Sequence, residues 1–438
     1  MNKKIHILGG GPAGMALAYY ANKNNVPFNL FEKSNAIGGN CRTIQHNDFL
    51  FDTGAHRFHD KNSEVTNEIK YLMGDQLFKV SSPSKIFHSG EMINFPISIL
   101  DIMKKIDFQT NLKIIKENIM LQFKENIIAK NFEEFAHLTY GKTLSDLFLT
   151  NYSEKLWGDK VKNLSINISG GRLRNLNLAS LIKQLVFKKK KQFQNLDGDF
   201  LYPKYGFGTI FKSIHNDLNK DDLYLESDIT KLIIKDNRVN SIVINDEKKI
   251  EVSRVVSTLP LPLLIRRMNL VTPTKINQII DSFRYRAVKL TILFLNKNRF
   301  SNNASIYFPQ KEIPFTRIYE PKNRSIYMAP KNKTCIVIES PYHQGEVSNK
   351  NDLEKIKLIL INNGFIKDTD ILDYKIIDMP YAYPILDINT KNKIEILYDY
   401  IGEIKNLYLV GRNAEFKYLH THDLFRKAET TINKLNIN

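Results

Sequence analysis

Gly9-Gly10-Gly11-Pro12-Ala13-Gly14 constrains this chain more than any other segment. It lies between Ile5-His6-Ile7-Leu8, which reads as a short buried strand, and Met15 to Asn22, which continues as a helix. A turn this sharp needs glycine. The free N–H groups and positive dipole of the helix N-terminus then suit a pyrophosphate approaching the backbone. Glu32, followed by Lys33, ends a second strand at Phe28-Asn29-Leu30-Phe31. That is close to the offset of about twenty residues expected of an acid that binds a ribose hydroxyl. Strand, glycine turn, helix and acid agree on a dinucleotide site.

Gly38-Gly39-Asn40-Cys41-Arg42 follows the acid. Gly38-Gly39 with Arg42 resembles the extended fingerprint of FAD proteins in the amine-oxidase and glutathione-reductase-like group, which NAD-binding domains normally lack. The expected cofactor is FAD, held by Gly9, Gly11, Pro12, Ala13, Gly14, Glu32, Lys33, Gly39, Asn40 and Arg42.

At 438 residues the chain can hold two or three domains. No apolar run reaches the length that spans a bilayer, and the immediate first strand leaves no room for a leader peptide. Cys41 and Cys335 make neither a metal pattern nor a disulfide framework, so a cytoplasmic setting is expected. The formal charge of +17 fits acidic ligands or an anionic membrane surface, and equally a Lys-rich composition. Lys188-Lys189-Lys190-Lys191 follows an apolar stretch and would suit either a solvated helix end or the inner membrane face. No motif supports nucleic-acid binding.

Ser63 to about Tyr152 reads as mostly helical. Beyond Leu201 short apolar and alternating runs read as strands, with Asp236-Asn237 a hairpin turn. Val255-Val256-Ser257 and Leu407-Tyr408-Leu409-Val410-Gly411 read as buried strands returning to the nucleotide sheet. Val288 to Leu295, Ser305 to Phe308, Thr316 to Tyr319, Ser325 to Met328 and Cys335 to Glu339 read as a strand series without helices between them. The expected fold is α/β: a Rossmann-type FAD-binding domain with an inserted helical domain and an antiparallel β-sheet substrate domain. The expected division is 1–62, 197–265 and 384–438 for the discontinuous FAD domain, 63–196 for the helical part with a mobile loop, and 266–383 for the substrate sheet.

Five further segments resemble the flavin-dependent UDP-galactopyranose mutases, in that family's order. Gly54-Ala55-His56-Arg57-Phe58-His59 resembles a segment lying against the flavin. Tyr152-Ser153-Glu154-Lys155-Leu156-Trp157-Gly158 resembles one whose Tyr packs on uracil and whose Trp lines the sugar pocket. Pro314-Phe315-Thr316-Arg317-Ile318-Tyr319-Glu320 and Tyr383-Pro384 resemble segments that reach the diphosphate. Gly411-Arg412-Asn413-Ala414-Glu415-Phe416-Lys417-Tyr418 resembles the closing flavin segment.

The resemblance implies substrate contacts at Tyr152, Trp157, Arg317, Tyr319, Tyr383 and Tyr418, and cofactor contacts at His56, Gly411 and Arg412. It also implies a mobile loop with an arginine that closes on the diphosphate. Gly170-Gly171-Arg172-Leu173-Arg174 stands in the right place, and either Arg172 or Arg174 fits, with Arg174 slightly preferred. The implied reaction interconverts the pyranose and furanose forms of a nucleotide-diphosphate sugar, UDP-galactose by default, for cell-surface polysaccharide synthesis. Reduced FAD attacks the anomeric carbon through N5, with NAD(P)H or a reductase as electron source and His56, His59, Arg174 and Arg317 serving the chemistry. A homodimer is also implied.

This chain departs from the family at Leu419-His420-Thr421-His422-Asp423, where the acid facing the flavin has become His420 or moved to Asp423. It is longer than a bacterial mutase, and Leu201 to Gly208 looks more like the protoporphyrinogen-oxidase group. The rival expectation is an FAD-dependent oxidoreductase of the amine-oxidase or protoporphyrinogen-oxidase type.

Overall fold

The parallel sheet that carries the glycine turn is built from strands far apart in sequence. In spatial order these are Leu407–Leu409, Arg254–Ser257, Ile5–Leu8, Phe28–Phe31 and Leu223–Tyr224, every pair parallel. The structure is a computed structural model that describes residues 4–97, 99–123, 127–169, 199–346 and 351–437.

All residues of Ile5–Leu8 and Phe28–Phe31 are buried, as a parallel sheet covered on both faces requires. Alternation sorts them. Ile5, Ile7, Leu30 and Val256 pack with the helices Pro12–Lys23 and Thr421–Ile437 on one face. Leu8, Phe31 and Val255 turn to the other, against the antiparallel strands Ile229–Lys235 and Arg238–Ile244. Those two strands meet at the expected hairpin, with Asp236 and Asn237 at φ of 48° and 55°.

The second sheet has seven strands: Ile371–Pro384, Tyr285–Leu295, Thr334–His343, Arg317–Tyr319, Ser305–Tyr307, Ser84–His88 and Glu91–Phe95. It is antiparallel except where Ser305–Tyr307 runs parallel to Ser84–His88. Tyr285–Leu295 is buried along its whole length at the centre.

Two expectations are corrected here. The stretch read as mostly helical contains the helices Ser63–Met73, Phe108–Leu121, Phe132–Tyr140 and Asn151–Trp157, but also three strands, Leu77–Val80, Ser84–His88 and Glu91–Phe95. Two of these complete the second sheet. Ser325 to Met328, read as a strand, is a 3-10 turn at Ile326–Met328, because the Ser325 hydroxyl accepts from the Tyr327 N–H and holds the backbone locally. Between Val288 and Glu339 the strands are separated by loops and 3-10 turns, as expected, and the helix Asn351–Asn362 comes after them.

Candidate functional site: one cavity over the carboxyl ends of the parallel strands

Leu8, Phe31, Ser257 and Leu409 each end a parallel strand, and the residues just beyond them line one cavity of about 530 Å³. This is where open α/β sheets bind their ligands. Gly9, Gly11, Pro12, Ala13, Glu32, Lys33, Gly39, Asn40, Gly411 and Arg412 all line it.

The turn is shaped by close contacts. A Cβ on Gly14 would lie 1.8 Å from the Gly9 carbonyl oxygen, so only glycine lets the helix pack this near the strand. Gly14 therefore shapes the cradle from behind and does not line it. Gly39 has φ of +49°, and a Cβ there would lie 3.0 Å from Gly11 Cα. Nothing lies within 4 Å of a Cβ built on Gly11, which leaves that backbone open to a ligand. Glu32 Oε2 accepts from the Gly10 N–H at 2.8 Å, and Oε1 accepts from the Ser34 N–H and hydroxyl at 2.9 and 2.8 Å. Its carboxylate is thereby aimed beside the turn, where a ribose diol would donate.

Arg42 corrects an expectation. It is not among the lining residues, its stem lies against Gly38, and its Nε is buried without a partner among the described residues. Thr53 holds its backbone, accepting from the Arg42 N–H at 3.0 Å. Tyr319 is the clearer departure. It is 1% exposed and its hydroxyl donates to the Asp52 carbonyl in the core. It shares a sheet face with Arg317, but one pair further along that face is covered by Phe49 and Phe51.

The second sheet contributes the polar heart of the cavity. Arg317 and Glu339 are direct cross-strand partners, and both line it. Arg317 Nε donates to Glu339 Oε2 at 2.9 Å and Nη2 to Oε1 at 2.8 Å, a two-pronged pair. Glu339 Oε1 also accepts from the Ala55 N–H at 3.1 Å, tying the pair to the segment of His56. Burial works against the Arg317 charge, but Glu339 overrides it and holds the guanidinium firmly protonated.

His56 and His59 both line the cavity. His56 Nε2 lies 2.8 Å from the Asn40 carbonyl, so the proton sits on Nε2 and the bond orients the ring. Burial pushes the imidazole down to about 3, with Arg324, Arg412 and Arg317 reinforcing the shift, so His56 is neutral near pH 7.

Aromatic residues form the remaining wall. Tyr152 meets Tyr307 edge-on with centroids 5.9 Å apart, and the Arg317 guanidinium lies 5.9 Å from the Tyr307 ring. Trp157 packs edge-on against Tyr383 and Tyr418 at 5.8 and 6.1 Å, and those two rings stack at 6.1 Å. Arg412 lies over both tyrosines and donates to the Leu419 carbonyl. A shift in pairing places Tyr383 here: Arg286 pairs with Tyr383 but Val288 with Met379, so Ile371–Pro384 bulges beside the cavity. Asp423 turns back to accept from the His420 N–H at 2.8 Å, and it is His420 that lines the cavity.

Sequence reasoning missed Glu339, Tyr307 and Arg57, all of which line the cavity. Arg57 stands between His56 and Phe58 in the segment that resembles the flavin-facing one. Its Nη2 donates to the Ser84 and Ser305 hydroxyls at 2.9 and 3.3 Å. Arg172 and Arg174 lie outside the described residues, as does the run from Lys188 to Lys191. Among the described residues no cluster of His, Cys, Asp and Glu could hold a metal, and no helix is long and apolar enough to cross a membrane.

A glycine cradle beside an acid, joined in one cavity to an antiparallel sheet, is the arrangement of a flavoprotein fold. Residues 12–348 match the family model of the flavin containing amine oxidoreductases, and the chain belongs to that family. Its cofactor is FAD. The open backbone at Gly11, the cradle at Gly39 and the carboxylate of Glu32 fit that group. The chain is 25% identical over 363 residues to a protoporphyrinogen oxidase of Dictyostelium discoideum, covering 68% of each chain. It is 25% identical over 171 residues to a probable UDP-galactopyranose mutase of Klebsiella pneumoniae, covering 38% of this chain and 44% of that one. The crystal structure of a reduced UDP-galactopyranose mutase superposes with a TM-score of 0.85 at 17% identity, over 98% of this chain and 95% of that one.

Proposed function

We propose that this enzyme interconverts the pyranose and furanose forms of a nucleotide-diphosphate sugar, with UDP-galactose the default substrate. The observation that carries the reading is Arg317, a permanently charged guanidinium opening on the same cavity as the FAD cradle and flanked by Tyr152, Tyr307 and Tyr383. Glu339 engages Nε and Nη2, which fixes the orientation of the group, while Nη1 takes no part in that pair. A phosphate oxygen is a ligand such a fixed donor suits, because Nη1 stands outside the pair and a charge-assisted bond to an oxyanion is strong.

Reduced FAD, when bound, supplies the nucleophilic N5 that a redox-neutral ring contraction needs. The chain's own residues do the rest. Arg317 and Tyr383 hold the diphosphate leaving group close, so that it can return to the anomeric carbon. Neutral His56 presents no positive charge that would compete for the diphosphate, and the Nε2–H bond to Asn40 keeps it in place. Tyr152 stacks the base, and Trp157 with Tyr418 closes the wall over the sugar. Arg172 or Arg174 would complete the anion clamp.

A second reading rests on the apolar part of the wall, where Ile86, Phe95, Phe148, Leu149, Val288 and Leu290 line the same cavity. That surface, with the Dictyostelium relative, suits an oxidoreductase acting on a bulky apolar substrate.

Trp157 is the only tryptophan in the chain, and it lines the cavity, so its emission reports occupancy. UDP and UDP-galactose should change it saturably in the holoenzyme, and Arg317→Ala should weaken that response at least tenfold. A response to a porphyrinogen or an amine, with none to any nucleotide sugar, would transfer the assignment to the second reading.

A further inference from the structure

The helix Phe108–Leu121 buries Asn111, Ile114 and Asn118, yet most of its apolar side chains point elsewhere. At 3.6 residues per turn, Phe108, Leu112, Ile115 and Ile119 fall within a sector of roughly 60°, about a quarter-turn from the buried face. They are 75%, 51%, 41% and 56% exposed, and Phe123 just beyond the helix is 84% exposed. Scattered apolar residues on a surface are ordinary, but a continuous stripe along one helix is not. Exposed lysines accompany it: Lys116 flanks the stripe, Lys113 lies further round the same helix, and Lys104 is on the neighbouring helix Ile99–Lys105. The acids nearby are held in local bonds. Glu117 accepts from the Thr143 N–H and hydroxyl, Asp101 pairs with Lys105, and Asp107 caps the helix through the Thr110 N–H.

We propose that this face docks on an anionic membrane surface, with the helix lying in the interface and its lysines at the headgroups. Charge decides the occupant. A second copy of this chain would bring the same lysines, within a molecule of net charge +17, against their own kind. The chain's own Lys188 to Lys191 run has the same sign. An apolar stripe with a cationic border is the pattern that partitions into anionic bilayers, the apolar side chains entering the acyl boundary and each lysine adding attraction.

The test is sedimentation of the holoenzyme with phosphatidylcholine vesicles containing or lacking phosphatidylglycerol, across a salt series. Binding should require the anionic lipid and weaken as salt rises. Lys113→Gln with Lys116→Gln should lower the partition coefficient about 30-fold, and Ile115→Ser with Ile119→Ser should lower it at least tenfold, each variant retaining wild-type flavin content and thermal midpoint. No sedimentation with anionic vesicles at low salt would overturn the proposal. So would equal binding by both variants, or a solution dimer that the Ile115→Ser, Ile119→Ser variant dissolves.

Discussion

Arg317 and Glu339 face each other across adjacent antiparallel strands, and two guanidinium nitrogens meet both carboxylate oxygens at 2.6 to 2.9 Å. The pair is 16% and 6% exposed, so neither charge has water to fall back on. Removing one partner of a buried pair strands the other at a cost of about 3–5 kcal/mol, whereas removing both with apolar replacements is often near neutral. Arg317→Met should therefore lower the thermal midpoint sharply, and Arg317→Met with Glu339→Leu should recover most of the loss. Activity should recover in neither. A double variant as unstable as the single one would show that the pair does not act as a unit.

Tyr319 and Tyr383 were both expected at the diphosphate, and the structure separates them. Tyr319→Phe removes a buried hydroxyl that donates to the Asp52 carbonyl, costing about 1 kcal/mol of stability with KM unchanged. Tyr383→Phe should do the reverse, raising KM or lowering kcat severalfold with little change in the melting curve. Thermal melts and steady-state kinetics on both variants decide this.

These two tyrosines show how far the sequence is legible. Four strands of the parallel sheet could be read because each is a short apolar run punctuated by glycine, threonine or an acid at the cofactor, whereas the edge strand Leu223–Tyr224 carries no such mark. The alternation that puts Arg317 and Tyr319 on one face was legible too. What was not legible is that Phe49 and Phe51, more than 260 residues earlier in the chain, cover the far end of that face. Glu339 escaped notice for the same reason, since strand register alone brings it opposite Arg317. Ser84–His88 and Glu91–Phe95 escaped because five-residue strands among helical patterns carry little periodic signal.

His56 predicts an acid sensitivity. Its folded value of about 3 lies below the ordinary 6.5, and burial is the main cause. Between those values the unfolded chain takes up a proton that the folded chain refuses, so stability falls as pH drops from 6.5 toward 3. The slope from this residue approaches about 1.4 kcal/mol per pH unit. His56→Gln should flatten the loss between pH 6.5 and 5 in denaturant titrations of the holoenzyme. An unchanged slope would assign the acid limb to other groups.

Gly14→Ala tests the cradle. A methyl group 1.8 Å from the Gly9 oxygen cannot be accommodated without moving the helix off the strand. The variant should purify with flavin occupancy reduced at least tenfold, read from the ratio of absorbance near 450 nm to that at 280 nm. Full occupancy would mean that the helix N-terminus tolerates displacement and does not define the pyrophosphate site.

The most direct test of the proposed reaction is chromatography of UDP-galactofuranose incubated with the holoenzyme, oxidised in one tube and reduced by dithionite in the other. Conversion to UDP-galactopyranose in the reduced tube alone, abolished by Arg317→Ala, is the expected result. Recovery of the furanose untouched from the reduced enzyme, while a porphyrinogen or an amine bleaches the oxidised flavin, would contradict the mutase and identify an oxidase.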